Sequence, residues 1–249
     1  TAAVEARKTG YEVVLVEKQA ELGGWTAKLW KRVPDREPYA APVDPGVQEL
    51  IDAVTKDAGV KVYTNATLAQ TSGAPGRFNA TIAIESGSSV TEEIGAIVQA
   101  TGFSLYDMNR LPERGAGKSP NVVDQAGLEK LAREAAANGQ PIRRPSDGGE
   151  VKSVVLVQCA GQRDDTGKHL PYCSGYCCGT SIKQAMYFKD ANPAVDTVVI
   201  YTDLRVPGNG EDFYRSAQHK GVVFTKGKVA SVEPNGNACT VNFRDLILD

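Results

Sequence analysis

The sequence predicts an α/β protein with two parallel sheets and a small antiparallel β insertion. Two continuous apolar runs, YEVVLVEK at 11–18 and VKSVVLVQC at 151–159, are typical of strands covered on both faces in parallel sheets. Each run neighbours a segment of helical character, TAAVEARKTG before the first and GTSIKQAMYFKD after the second. Between the runs, GRFNATIAIES and EEIGAIVQATG alternate like antiparallel strands joined by the turn sequence SGSS.

The other elements continue this alternation of helices and strands. Helices are predicted within VQELIDAVTKDAG, PNVVDQAGLEKLAREAAANG and EDFYRSAQHKG, and strands within VKVYTNATL, DTVVIYTD and VVFTKG, before a hairpin-like KVASVEPNGNACTVNF. The order VKSVVLVQC, helix, DTVVIYTD predicts a second βαβ unit. The run EIGAIVQ is predicted to be a strand that ends at Ala100, Thr101 and Gly102.

Bulk composition excludes several classes of function. A net charge of -2 and a pI near 5.8 give no electrostatic reason to expect nucleic acid or an anionic membrane as a partner. No apolar run approaches the roughly 20 residues of a membrane-spanning helix. Five cysteines in 249 residues do not suit a secreted disulfide scaffold. We therefore expect a cytoplasmic protein with no direct membrane insertion.

The first helix and strand are typical of the second half of a dinucleotide-binding βαβ unit. The first strand and glycine-rich turn of that unit would precede Thr1, and the chain begins without Met, so we expect a fragment. Glu17 ends the strand, where an acidic residue binds the ribose hydroxyls of a dinucleotide. Gly23 and Gly24 follow and permit close backbone approach to a cofactor. A solvated carboxylate at a strand end is the alternative for Glu17.

Four of the five cysteines lie in the loop after the second parallel strand. Cys159 ends the strand, Cys173 lies in the loop, and Cys177 and Cys178 begin the next helix. A helix N-terminus stabilises thiolates, and four thiolates suit a [4Fe–4S] cluster or a structural zinc. The adjacent pair favours a cluster, because neighbouring side chains point apart and a cubane spreads its irons over several ångströms. Zinc with His169, a redox dithiol and free buried thiols remain alternatives.

Two further residues receive plainer interpretations. Cys239 lies in the strand-like ACTVNF and is expected to be a buried small apolar residue. Lys183, a turn into the helix after the cysteine loop, could offset negative charge at the thiols, but a solvated helix face is the favoured prediction for it.

The cysteine element and several other stretches together resemble the A subunit of heterodisulfide reductase. The resemblance rests on VVLVEKQAELGG, GAIVQATGF, VVLVQCAGQRDD…HLPYCSGYCCGTSIKQAMYFKD and YTDLRVPGNGEDFYRSAQHKGVVFTKG. It extends over nearly the whole chain. These stretches are most similar to the A and B subunits of quinone-interacting membrane-bound oxidoreductase complexes.

The resemblance implies a thioredoxin-reductase-like flavoprotein with two FAD/NAD(P)-binding domains, FAD and a [4Fe–4S] cluster. It implies no acid–base catalytic residue, but electron transfer with other subunits of a redox complex, through which any membrane association would arise. The cluster ligands would be Cys159, Cys173, Cys177 and Cys178. The residues implied to bind FAD are Glu17, Lys18, Gly23, Gly24, Thr67, Leu68, Ala100, Thr101 and Gly102.

The resemblance also implies a division into domains. Residues 1–105 would form an FAD-binding domain without its first strand and glycine turn. Residues 106–221 would form a second Rossmann-like domain carrying the cysteine loop, and residues 222–249 would begin an incomplete return to the FAD domain. Two other functions stay open: a flavin-dependent pyridine nucleotide–disulfide oxidoreductase with a redox dithiol, and a zinc-stabilised scaffold without catalysis.

Overall fold

The computed structural model describes residues 1–248, which divide into two compact units. The first unit comprises residues 1–28 and 45–104. The second comprises residues 29–44 and 105–248. A helix long and apolar enough to span a lipid bilayer is not found among residues 1–248.

The first unit contains a short parallel sheet and an antiparallel sheet. Its elements are α1 (Ala2–Lys8), β1 (Val13–Val16), a 3-10 turn (Thr26–Lys28), α2 (Val47–Thr55), β2 (Val60–Tyr63), β3 (Ala66–Ala74), β4 (Arg77–Ile84) and β5 (Ser89–Ile94). β1 pairs with β2 in parallel, with Val13 opposite Val60. The order β3–β4–β5 is antiparallel throughout. The antiparallel insertion predicted from GRFNATIAIES is therefore present, and β3 adds a strand that the alternation did not predict.

The predicted strand EIGAIVQ is wrong in its extent. β5 ends at Ile94, and the chain from Gly95 to Asp107 forms no helix or strand. Val98 is 72% exposed, and Ala100, Thr101 and Gly102 are also exposed. An apolar run becomes a strand only when a neighbouring edge accepts its backbone hydrogen bonds, and no strand within residues 1–248 pairs with this run.

The second unit is built on one four-stranded sheet. Its elements are two 3-10 turns (Met108–Arg110, Pro112–Arg114), α3 (Gln125–Ala137), β6 (Ser153–Val157), α4 (Cys177–Ala191), β7 (Asp196–Tyr201), α5 (Gly210–His219), β8 (Val223–Asn235) and β9 (Ala238–Asp245). The strand order is β6–β7–β8–β9, with the first three parallel and β9 antiparallel to β8. The predicted α/β class and the second βαβ unit are confirmed. Residues from 223 to 245 extend this second sheet.

Helix α4 is the centre of the second unit. Ile182, Ala185 and Met186 on α4 join Leu156 of β6 and Phe213 of α5 in one buried apolar cluster. Burial of such side chains contributes about 1.5–3 kcal/mol each to folding. Every residue from position 180 to position 188 on α4 is buried, although several of these side chains are polar. The polar ones must therefore find partners inside the protein.

A buried ion pair supplies the main polar partner of α4. Lys183 Nζ lies 2.9 Å from Glu129 Oε1 on α3, and the two side chains are 1% and 3% exposed. Gln184 donates to Glu129 at 2.8 Å, and the Tyr187 hydroxyl donates to it at 3.2 Å. Burial lowers the pKa of Lys183, and the Glu129 charge opposes that shift. The predicted solvated position of Lys183 is wrong, because its partner lies 54 residues earlier in the chain.

The segment 29–44, which we call the strap, is attached to the same ion pair. The backbone N–H of Trp30 donates to Glu129 Oε2 at 2.9 Å, and Lys183 Nζ donates to the carbonyl of Lys31 at 2.6 Å. The Trp30 ring packs edge-on against Tyr187, with centroids 4.5 Å apart. These contacts place the strap in the second unit rather than in the first, with residues 1–28.

Removing one member of the buried pair is expected to destabilise the second unit strongly. Glu129→Gln leaves the buried ammonium of Lys183 without an opposite charge, and Lys183→Met leaves the buried carboxylate of Glu129 without one. Each substitution is expected to lower the free energy of unfolding by about 3–5 kcal/mol. The double variant should lose less than the sum of the two. Urea unfolding measures all three changes.

The exposed pair on the same helix as Glu129 is the matched control for that prediction. Lys130 and Glu134 lie 3.8 Å apart with side chains 77% and 57% exposed. Lys130→Met should change the free energy of unfolding by less than about 1 kcal/mol. Equal losses for Lys130→Met and Lys183→Met would contradict a structural role for the buried pair.

Candidate functional site

The cysteine loop starts where β6 ends and finishes where α4 begins. The backbone N–H of Gln158 still pairs with the carbonyl of Ile200 at 2.9 Å, and Cys159 then turns the chain with φ of +56°. Cys177 and Cys178 are the first two residues of α4. In parallel sheets, ligands are bound at this carboxyl end of the strands, beside the following helix. The structure thus places the predicted thiols at a ligand-binding position of the fold.

The loop is folded onto itself by backbone hydrogen bonds. Arg163 N–H donates to the carbonyl of Tyr172 at 3.1 Å, and Leu170 N–H donates to the carbonyl of Gly161 at 3.2 Å. Asp164 accepts the N–H groups of Lys168 and His169 at 2.8 and 2.9 Å. These bonds, with that of His169 first, lower the pKa of Asp164 to about 2.

Tyr106 braces the loop from outside it. Its hydroxyl lies 2.5 Å from Nδ1 of His169. Its ring lies so close to Gly161 that a Cβ there would come within 2.4 Å of a ring atom. His169 is half-buried and already engaged, which weakens the alternative of zinc bound by this imidazole.

Backbone N–H groups point at two of the four sulfurs. Gly175 N–H donates to Cys173 Sγ at 3.3 Å, and Arg205 N–H donates to Cys178 Sγ at 3.4 Å. The side chain of Gln125 donates to the carbonyl of Cys177 at 3.1 Å. Such N–H···S bonds stabilise negative charge on sulfur and tune iron–sulfur groups where these are bound.

The adjacent cysteines affect each other's protonation. A hydrogen bond between Cys177 and Cys178 raises the pKa of Cys177 and lowers the pKa of Cys178 to about 7, and burial raises both. Negative charge on Cys159 or Cys173 would raise the pKa of Cys178 as well, so all four thiols share one electrostatic neighbourhood. Cys178 is only 3% exposed, whereas Cys159, Cys173 and Cys177 are half-buried.

Arg163 brings a positive charge to the thiols. It pairs with Asp203 at 2.5 Å, and the pKa of Arg163 is raised by Asp203 first and by Cys159 to a smaller extent. Its φ of +55° is in the left-handed region, which costs a non-glycine residue about 1–2 kcal/mol. The loop therefore holds the Arg163 guanidinium near Cys159 although the backbone of Arg163 is strained.

The donor chemistry of the loop fits an iron–sulfur group. All four potential ligand atoms are sulfur, and two of these sulfurs accept hydrogen bonds from backbone N–H groups. A helix N-terminus and a guanidinium lie beside them. Across residues 1–248, no three Cys, His, Asp or Glu side chains are already gathered as a metal-binding set. The four ligand assignments therefore stay predictions.

The predicted flavin-binding residues lie in the first unit. Glu17 follows β1 directly, its carboxylate accepts the N–H of Gln19 at 2.8 Å, and its carbonyl accepts the N–H of Ala66 at 3.0 Å. This last bond joins Glu17 to Ala66, the first residue of β3 and the residue before Thr67. Lys18, Thr67 and Leu68 are exposed.

The two glycines after β1 differ in surroundings. A Cβ at Gly23 would lie 2.8 Å from Cβ of Ala27 and 3.2 Å from side-chain atoms of Val47 and Ile51. Gly23 is thus required by the packing of the first unit itself, a reason that the sequence motif alone did not reveal. At Gly24, with φ of +52°, such a Cβ would meet no described atom within 4 Å, so the backbone is open to approach.

Trp25 connects the glycines to the A-T-G segment. Its ring stacks on Phe103 with centroids 6.0 Å apart, and its Nε1 donates to the carbonyl of Phe103 at 3.0 Å. Gly24 precedes Trp25 and Gly102 precedes Phe103, so the two glycines lie beside residues that contact each other. Their roles in binding FAD stay predictions.

Sequence reasoning missed Arg163, Gln125 and Gln158 around the thiols. Gln125 reaches Cys177 from α3, which lies 52 residues earlier, so no local pattern could reveal it. Arg163 and Gln158 lie within four residues of Cys159. A cation and an amide so close to a thiol are visible in the sequence and were available signals.

Comparison with known proteins finds sequence relatives among heterodisulfide reductase A subunits. No protein-family model matches the chain. It is 39% identical over 141 residues to the A subunit of the ferredoxin/F(420)H(2)-dependent CoB-CoM heterodisulfide reductase of Methanosarcina acetivorans, covering 56% of this chain and 18% of that protein. The A subunit of the H(2):CoB-CoM heterodisulfide,ferredoxin reductase of Methanothermobacter marburgensis is 36% identical over 160 residues, covering 63% and 24%.

A third relative extends the match along the chain. The second iron-sulfur A subunit of the CoB–CoM heterodisulfide reductase of Methanopyrus kandleri is 26% identical in an alignment that covers 99% of this chain and 49% of that protein. The chain therefore spans at most about half the length of these three relatives.

Among solved structures, a thioredoxin reductase of T. acidophilum matches with a TM-score of 0.53 at 14% identity, over 99% of this chain and 66% of that chain. This likeness concerns the fold: the chain has the thioredoxin-reductase-like FAD/NAD(P)-binding fold that was predicted. More narrowly, the chain is similar in sequence to heterodisulfide reductase A subunits, which confirms the resemblance. The closer similarity to quinone-interacting complexes stays a prediction.

Gly161→Ala is expected to disturb the cysteine loop more than Gly167→Ala. Both glycines have φ near +79° (+79° and +78°), so both alanines carry about 1–2 kcal/mol of backbone strain. Only Gly161 faces the Tyr106 ring, which adds about 1–3 kcal/mol of overpacking. Urea unfolding compares the two variants, and an equal loss in both would contradict the bracing role of Tyr106.

The Asp164 turn is expected to loosen in acid. Because the pKa of Asp164 is lowered from 3.8 to about 2 in the folded chain, its stabilising effect is complete above pH 3.8 and is lost as the pH falls through about 2. Hydrogen-exchange protection of the Lys168 and His169 amides should follow this window. Asp164→Asn should lower that protection near neutral pH, while the exposed neighbour Asp165→Asn should leave it unchanged.

Proposed function

We propose that the chain is part of an FAD- and iron–sulfur-containing electron-transfer subunit of a heterodisulfide reductase-like or quinone-interacting oxidoreductase complex. The observation that carries the proposal is the placement of four thiols at the end of β6 and the start of α4. In a nicotinamide-binding domain, that position carries a glycine-rich phosphate loop. A thiol-bound redox group there would exchange single electrons in place of a hydride.

Cys159, Cys173, Cys177 and Cys178 would hold a [4Fe–4S] cluster, which supplies one-electron storage when bound. The N–H groups of Gly175 and Arg205 already point at sulfur and would stabilise the added negative charge. Arg163, positioned by Asp203, would balance part of that charge.

FAD would bind to the first unit. Glu17 would accept the ribose hydroxyls, and Gly24 would let a phosphate-bearing ligand approach the backbone. The stacked Trp25 and Phe103 support a fixed relation between the glycine segment and the A-T-G segment. FAD takes up two electrons and can release them one at a time, which matches the one-electron capacity of a cluster.

The partners would be other subunits of the same redox complex. The sequence relatives are named as subunits of heterodisulfide reductases, and one is named an iron-sulfur subunit. We propose a cytoplasmic location, with any membrane association made by those partner subunits.

A redox dithiol is the alternative that the Cys177–Cys178 pair brings forward, because the lowered pKa of Cys178 favours a reactive thiolate. Against it, Cys178 is 3% exposed, so a disulfide substrate has little access to the sulfur. Adjacent cysteines also rarely form a disulfide without strain.

The metal content of the chain tests the cluster directly. After anaerobic purification, wild type should contain about four irons and four sulfides, with broad visible absorbance. Cys177→Ser should lose most of the iron and the absorbance. Flavin and zinc are assayed in the same samples.

Cys239→Ser is the matched control, because Cys239 packs against the apolar cluster of Ile200, Val229 and Val232, far along the chain from the loop. It should keep the wild-type iron content. Wild type with stoichiometric zinc, or with no metal, would refute the cluster, and equal iron loss in both variants would refute the ligand assignment.

A further inference from the structure

Gln158 carries a buried amide that the structure leaves without partners. The residue is 7% exposed, and neither Nε2 nor Oε1 has a hydrogen-bond partner among residues 1–248. Its backbone N–H is satisfied by the carbonyl of Ile200. A buried side-chain amide without partners lowers stability, and nearly all such groups in folded proteins are paired. A methionine or leucine would suit this environment better if packing were the only demand.

The position of Gln158 on the strand directs this amide toward the cysteines. Side chains alternate between the faces of a strand, so Gln158 lies on the same face as Leu156. Leu156 packs in the cluster formed with Ile182, Ala185 and Met186 of α4. Because β6, α4 and β7 form one βαβ unit, the end of β6 and the start of α4 lie at the same end of the sheet. Gln158 therefore faces the first turn of α4.

The first turn of α4 carries Cys177 and Cys178, and Cys159 follows Gln158 directly. Other polar side chains near this turn are already engaged: Gln125 donates to Ser181 and to the carbonyl of Cys177, and Thr180 donates to the carbonyl of Tyr176. Two side-chain donors near the thiols have no hydrogen-bond partner among residues 1–248: Nη1 of Arg163, whose guanidinium is already paired with Asp203, and the amide of Gln158, which is committed to no partner.

We propose that Gln158 donates an amide hydrogen bond to a sulfur of the group that the four cysteines hold. This inference rests on the proposed function, which supplies the iron–sulfur group. It makes Gln158 a positioning and tuning residue that orients the bound group without ligating it. An N–H···S bond favours the more negatively charged, reduced state, so Gln158 raises the reduction potential of the group.

Gln158→Met tests the proposal with two measurements, the urea midpoint of the metal-free chain and the reduction potential of the iron-loaded chain, which should change in opposite directions. In the metal-free chain, the variant removes a buried unpaired amide, so the urea midpoint should rise. In the anaerobically purified, iron-loaded chain, it removes an N–H···S bond, so the midpoint potential in an electron-paramagnetic-resonance redox titration should shift to more negative values. A purely structural glutamine would not produce this combination.

Gln184→Met is the matched control. Gln184 is also buried, at 1% exposure against 7% for Gln158, but its amide donates to the carbonyl of Gln125 and to Glu129, both at 2.8 Å. The same substitution there should lower the urea midpoint of the metal-free chain. The two glutamines should therefore give stability changes of opposite sign.

The outcomes separate this inference from the function on which it rests. Wild type without iron and sulfide overturns both. Iron-loaded Gln158→Met with an unchanged potential overturns the role of Gln158 alone. A lower urea midpoint for metal-free Gln158→Met also overturns it, because the amide would then be paired within the protein.

Discussion

The buried pair of Lys183 and Glu129 is the interaction on which the second unit depends. It permits α4 to be enclosed on all sides, since a helix with polar residues in its interior-facing positions otherwise loses their hydration without compensation. Glu129 accepts from Lys183, Gln184 and Tyr187 on α4 and from the N–H of Trp30 in the strap, so two separate parts of the chain satisfy one carboxylate. A hydrogen-bonded chain through Gln184 and Gln125 then reaches the carbonyl of Cys177. The start of α4 is therefore held in place by the same network that fixes its middle.

The cysteine loop is ordered by its own hydrogen bonds as well as by that network. Asp164 closes a tight turn, Tyr106 supports His169 and Gly161, and the chain pairs with itself between positions 162 and 172. A loop whose backbone is already fixed loses less conformational entropy when it binds a group than a flexible loop does. The donor aimed at Cys173, the N–H of Gly175, belongs to this fixed backbone, and the donor aimed at Cys178 is the N–H of Arg205 after β7. The arrangement is consistent with a site that tunes its ligand through backbone dipoles.

Periodicity in the sequence predicted most of the second unit. The apolar run VKSVVLVQC became β6, the helix after the cysteines became α4, and DTVVIYTD became β7, because each pattern matched burial on the sheet. Two failures have physical reasons. Lys183 was placed in solvent because only tertiary contact with Glu129 explains a buried ammonium. The run after Ile94 was assigned to a strand because apolar composition does not state whether a pairing edge exists. The four thiols were located from sequence, whereas the polar groups that serve them come largely from distant segments.

The strap is attached to α3 and α4 through backbone atoms: the N–H of Trp30 donates to Glu129 on α3, and the carbonyl of Lys31 accepts from Lys183 on α4. Every residue except proline has a backbone N–H, and every residue has a backbone carbonyl. Substitution at Lys31 in particular leaves both attachments chemically intact. The residue at position 31 can therefore change during evolution while these attachments persist. A position that matters greatly for the fold would then look variable in a sequence alignment, and only its partners Lys183 and Glu129 would carry the selective constraint.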